Sequence, residues 1–140
     1  RLLQDLPVHL FEDGYQQRDF VSVYDAARAF RLALESPGAA GETFNIGSGR
    51  PHTFRTVANL LATITQRQHL APEVTGASRV GDIRHCIADI SRAREVLGYE
   101  PEVPLETGLL DLVSWVEAEL AARQEVPAPL GVQKSSRLQV

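Results

Sequence analysis

The stretch Arg18-Asp19-Phe20-Val21-Ser22-Val23-Tyr24-Asp25 constrains this chain more than any other. Phe20, Val21 and Val23 are strand formers, and Asp25 has the side chain that a helix N-cap needs, so the stretch reads as a strand running directly into a helix. Upstream, Val8 to Phe11 forms a short apolar run and Glu12-Asp13-Gly14 supplies turn chemistry. The order is then strand, turn, strand, helix, which predicts a mixed α/β unit. Arg18 opens the second strand beside the turn, at a sheet rim where a cation can meet a ligand.

The remaining chain continues this alternation. Arg1 to Asp5 reads as the tail of a helix ended by Pro7. The helix capped by Asp25 runs to about Ser36, with Ala26, Ala29, Phe30, Ala33 and Leu34 on one face. Pro37-Gly38 and Gly41 close it. Glu42 to Ile46 reads as a strand broken by Gly47-Ser48-Gly49. Pro51 and Thr53 start a second helix, roughly 53–67, with Val57, Leu60, Leu61 and Ile64 inward. Glu73 to Thr75 is a short strand, and 79–85 has no clean period and reads as a loop, followed by a short Cys86-Ile87-Ala88 strand. Asp89 caps a third helix that ends at Gly98. After Pro101 and Pro104, the last helix covers 105–122, with Leu109, Leu112, Val113, Val116 and Leu120 on one stripe and Trp115 near its rim. From Arg123 onward Pro127, Pro129, Ser135 and Ser136 interrupt every pattern, which predicts a disordered tail over 123–140.

Composition narrows the function classes. A chain of 140 residues with 44% hydrophobic content supports one packed domain, or part of a larger one. The formal net charge of −4 opposes non-specific nucleic-acid binding, which requires a basic face. No apolar run reaches the roughly 18 residues of a membrane span. The single cysteine, Cys86, has no internal disulfide partner and suits a reducing cytoplasm. The chain holds no Met and opens on Arg1, so the expectation is a piece of a longer protein, cut on its N-terminal side.

Candidate chemistry is sparse. Gly47-Ser48-Gly49 looks like the opening of a dinucleotide-binding turn, but His52 stands where that fingerprint needs its third Gly, and Pro51 removes a backbone donor. No cofactor site is therefore expected on this chain. Tyr24 and Arg28 have the spacing of a Tyr-x-x-x-basic pair, yet Arg cannot shuttle a proton, and the sole Lys is Lys134. Tyr24 is read as packing at the helix start, and no catalytic residue is assigned. His85 and Cys86 lack further ligands at metal-binding spacing. Asp82 lies after Gly81 and between Arg79 and Arg84. A carboxylate accepts hydrogen bonds from a ribose diol, and guanidinium forks grip phosphate oxygens, so Arg79 and Asp82 together suit a nucleotide; a loop ion pair is the alternative.

Asp13-Gly14, Gln17-Arg18-Asp19-Phe20-Val21, Asp25, Asn45-Ile46-Gly47-Ser48-Gly49, Arg79-x-Gly81-Asp82-Ile83-Arg84, Ala88-Asp89 and Leu97-Gly98-Tyr99-x-Pro101 occur in this order. Over roughly residues 1–120 the chain resembles the C-terminal part of the NAD-dependent epimerase/dehydratase family, the extended short-chain dehydrogenases acting on nucleotide sugars. The likeness is greatest to nucleoside-diphosphate-sugar 4-epimerases, with a 4,6-dehydratase or decarboxylase lobe, and a non-catalytic binding or interaction module, as rivals. The resemblance implies the α/β substrate-binding lobe of an extended Rossmann-type enzyme, a small α+β unit on its own, over 1–122. It implies that a missing N-terminal half binds NAD, carries a Tyr/Lys pair and forms a homodimer, so this chain alone lacks both cofactor and activity. It further implies a UDP- or dTDP-linked hexose as ligand. Arg18 and Arg79 would contact the diphosphate, Asp82 the ribose, and Cys86 the sugar, with His9, Leu10 and Phe11 along the base.

Overall fold

The computed structural model describes residues 1–78 and 80–125. Five short strands and four α-helices follow in the order β1 (His9–Leu10), β2 (Gln17–Asp19), α1 (Val23–Glu35), β3 (Pro51–Thr53), α2 (Phe54–Ile64), β4 (Glu73–Val74), β5 (His85–Cys86), α3 (Ser91–Leu97) and α4 (Leu105–Glu125). The two strands around the turn do not pair with each other. β1 pairs in parallel with β4, whereas β2 is the centre of a second sheet, antiparallel to β3 and parallel to β5.

The core lies where α1 meets α3. Ala29, Ile90, Ala93, Leu97 and Tyr99 are buried together, with Leu32, Ala33, Phe44, Ile46 and Val96 packed around them. Phe44 and Ile46 thus face inward, but 42–46 forms no strand among the described residues, because its backbone finds no ladder partner there. Alternating apolar residues specify an inward face without supplying a neighbouring strand. The C-terminal end of α3 is closed by Gly98 at φ +64, a left-handed conformation that favours glycine.

Several boundaries differ from the sequence reading. Ser22, not Asp25, caps α1, its side chain accepting from the Tyr24 N–H. Asp25 is drawn inward instead, where it accepts from the Glu102 N–H at 2.9 Å, the Val103 N–H at 3.0 Å and Arg28 at 2.7 Å. The helix face also rotates: Asp25 and Ala29 are buried, while Phe30 and Leu34 are exposed. Tyr24 is 65% exposed and does not pack. Thr53 caps α2, accepting from the Thr56 N–H, and the helix stops at Ile64, short of the expected residue 67, with Gln66 at a positive φ of 58°. Pro51 to Thr53 forms an edge strand rather than helix, with His52 opposite Arg18. α3 starts at Ser91, whose N–H donates to the Asp89 carboxylate. On α4, Leu109 is buried while Leu112 and Trp115 face outward. That helix continues through Arg123 to Glu125; the rest of the expected tail, 126–140, lies outside the described residues. No described helix is long and apolar enough to cross a membrane.

Candidate functional site

The pairing of β2 with both neighbours builds a row across the central sheet. Arg18 stands in register with His52 on β3 and with Cys86 on β5. Directly opposed residues present side chains to the same sheet face, and so do residues two apart on one strand. Phe20 and Phe54 continue that face, their rings 5.9 Å apart and nearly perpendicular.

Arg18 is fixed on several sides. Its guanidinium carbon lies 5.6 Å from the centre of the Phe54 ring, a cation–π arrangement. Nη1 donates to the backbone carbonyls of Gln17 at 2.8 Å and Arg84 at 3.2 Å. Nη2 donates to Asp82 Oδ1 at 2.6 Å. The sheet backbone and Phe54 therefore set the plane of the guanidinium, and a loop carboxylate takes its outer corner. Cys86 is exposed on the neighbouring strand, so it is not the buried apolar residue that a lone cysteine often is.

Arg84 links this row to the β1 region. Its guanidinium meets Glu12 at 2.9 Å and Asp13 at 2.6 Å, both in the turn after β1. The Arg84 hydrogen bond and the Tyr15 N–H hold the Asp13 carboxyl below its usual range. Along β1, Leu10 is buried in the core and its carbonyl accepts from Thr75, so its side chain is not at the surface. His9 lies 3.2 Å from Glu73, and Phe11 is 41% exposed. The structure thus brings Arg18, Asp82 and Cys86 together, and it ties the His9–Phe11 region to them through Arg84. Arg79 lies outside the described residues.

Asp19, on the opposite face of β2, ties down the glycine-rich turn. Its carboxylate accepts from the Ser48 N–H at 2.7 Å, the Ser48 hydroxyl at 2.6 Å, the Gly49 N–H at 2.9 Å and the Ala88 N–H at 3.3 Å. A Cβ at Gly47 would sit 2.4 Å from Asp19 Oδ2 and 2.6 Å from Ala88 Cβ, and the Gly47 carbonyl accepts from the Tyr99 hydroxyl at 2.9 Å. An acidic side chain occupies the donors that would otherwise hold a pyrophosphate. This turn does not fit NAD, and its glycine answers a need for close packing. Among the described residues no group of three or more His, Cys, Asp or Glu could hold a metal ion.

Phe54, His52 and Arg84 are the site residues that sequence reasoning passed over. Arg84 was visible as the second arginine flanking Asp82. Nothing local announces Phe54, because its role depends on β3 pairing with β2.

Comparison with known proteins bears on the family and the fold. The model of the NAD dependent epimerase/dehydratase family matches residues 1–47. A dTDP-L-rhamnose 4-epimerase of Burkholderia thailandensis is 37% identical over 113 residues, covering 81% of this chain and 31% of that protein. A crystal structure of a UDP-glucose 4-epimerase with UDP-glucose from Thermotoga maritima superposes with a TM-score of 0.78 at 41% identity, over 86% of this chain and 38% of that one. The chain belongs to the NAD-dependent epimerase/dehydratase family. It has the mixed α/β fold of the extended short-chain dehydrogenase epimerases, and spans about a third of the length of the curated relatives it matches. A further family structure, a UDP-glucuronic acid 4-epimerase variant from Bacillus cereus, contains a UDP-sugar analogue and NAD; it is 29% identical, with a TM-score of 0.77 over 84% of this chain and 37% of that one.

Proposed function

We propose that this chain is the nucleotide-sugar-binding lobe of an NAD-dependent nucleoside-diphosphate-sugar 4-epimerase. The observation that carries the reading is Arg18, held edge-outward between Phe54 and the sheet backbone with Asp82 and Cys86 beside it. A guanidinium with a fixed plane suits the paired oxygens of a diphosphate. In this reading Arg18, joined by Arg79, grips the diphosphate and Asp82 accepts from the ribose hydroxyls. The base lies along the His9–Phe11 strand, where the Leu10 side chain itself is buried. Cys86 faces the sugar, and its small side chain leaves space for bulkier hexoses. NAD and the catalytic pair belong to the remainder of the longer enzyme, a homodimer in the cytoplasm.

The test is calorimetric titration of UDP-glucose and dTDP-glucose into the 140-residue chain and its Arg18→Ala variant. Binding of at least one, weakened by about 1.5–3 kcal/mol on losing the charge-assisted contact, supports the reading. Affinity within twofold of the parent chain contradicts it.

A further inference from the structure

We propose that Asp82 is a specificity residue that guards Arg18 against simple anions. The inference rests on the reading of Arg18 as the diphosphate contact. Arg18 Nη1 is committed to two backbone carbonyls, and the ring of Phe54 flanks its plane. The outer nitrogen, Nη2, is the corner an incoming anion would approach, and Asp82 Oδ1 already sits 2.6 Å from it. A phosphate oxygen that takes a direct bond to Nη2 displaces the carboxylate. The displaced carboxylate then needs new donors, or it remains a repelling charge beside the ligand.

The segment bearing Asp82 can make that exchange at small cost. Gly81 takes a φ of +83°, and a Cβ there would meet nothing within 4 Å. Val80 and Ile83 are exposed. The chain is pinned again at Arg84, whose carbonyl accepts from the Gln17 N–H and whose side chain holds Glu12 and Asp13. Asp82 is therefore a carboxylate on an unpacked loop, two residues from a fixed point. A vicinal diol provides two neutral O–H donors and satisfies it, while inorganic phosphate or pyrophosphate brings multiple negative charges that repel it. The site thereby favours a nucleoside diphosphate over a bare diphosphate. It does so by a penalty on the wrong ligand as well as by contacts to the right one.

The experiment titrates inorganic pyrophosphate and UDP separately into the parent chain, Asp82→Ala, Asp82→Asn and Arg18→Ala, with far-UV circular dichroism confirming that each is folded. Removing the guard predicts pyrophosphate binding tightened by about tenfold in Asp82→Ala and less in Asp82→Asn, while UDP binding weakens. The preference for UDP over pyrophosphate then falls by more than tenfold. Pyrophosphate binding that is unchanged or weakened in Asp82→Ala overturns the proposal, and equal weakening of both ligands assigns Asp82 to holding Arg18 in place. Loss of UDP binding in Arg18→Ala separates the two failures: if Arg18→Ala has no effect on UDP, the diphosphate reading itself fails and takes the guard with it.

Discussion

Two carboxylates of this small chain behave differently, and the difference separates scaffold from candidate site. Asp25 is 2% exposed and receives two backbone N–H groups and a guanidinium. Burial alone would raise its pKa, but the Glu102 N–H, Arg28 and the Val103 N–H outweigh that and leave it lowered. Asp82 is about a third exposed, sits on an unpacked loop and has one described partner. The first joins α1 to the 100–104 link and has no capacity left for a ligand. The second can change partners. A fully satisfied buried charge marks architecture; a singly held charge at a rim marks a place where a ligand can substitute.

This contrast orders the expected effects. Asp25→Ala leaves two backbone N–H groups without their acceptor and takes one of its two carboxylate partners from Arg28, and should lower unfolding free energy by about 3 kcal/mol in urea titrations. Gly47→Ala should follow at about 2 kcal/mol, because its Cβ collides with Asp19, on β2, and with Ala88, whose N–H is bonded to the Asp19 carboxylate. Asp82→Ala should change stability by less than about 1 kcal/mol, since exposed ion pairs contribute little. A large loss from Asp82→Ala, or none from Asp25→Ala, breaks the comparison.

The pH profile sharpens the same point. The folded pKa of Asp25 lies below its unfolded value of about 4, so its stabilisation is complete above that pH and disappears as pH falls through the folded value. Asp25→Asn should flatten the acid limb of a stability profile. Tyr99 acts at the other end. Burial, with Asp25 nearby, raises its hydroxyl pKa, so its contribution is present below about pH 10 and is lost as pH rises through the folded value. Tyr99→Phe should remove that alkaline loss along with the bond to the Gly47 carbonyl.

What could be read in the sequence follows the same division. Helix existence was legible because apolar periodicity and caps such as Thr53 and Gly98 are local. Which face of a helix turns inward was not: Phe30 and Leu34 match the helical period as well as Ala29 does, and packing against α3 selects Ala29. Ser22 and Asp25 are both competent caps, and the choice depends on N–H groups 77 and 78 residues away from Asp25. Arg18 and Asp82 can be singled out in the sequence because guanidinium and carboxylate chemistry shows there, and the fold brings them into contact across 64 residues. The support of Arg18 by Phe54 was not legible, since that needs Pro51 to Thr53 to form an edge strand.

The most direct test of the account is amide chemical-shift mapping of the isotopically labelled chain as UDP is added. Shifts concentrated at 17–20, 52–54 and 82–86, with Asp25, Tyr99, Glu102 and Val103 unmoved, are the predicted result. Shifts centred on Asp25 and Tyr99, or none at the Arg18 row under saturating UDP, would contradict it.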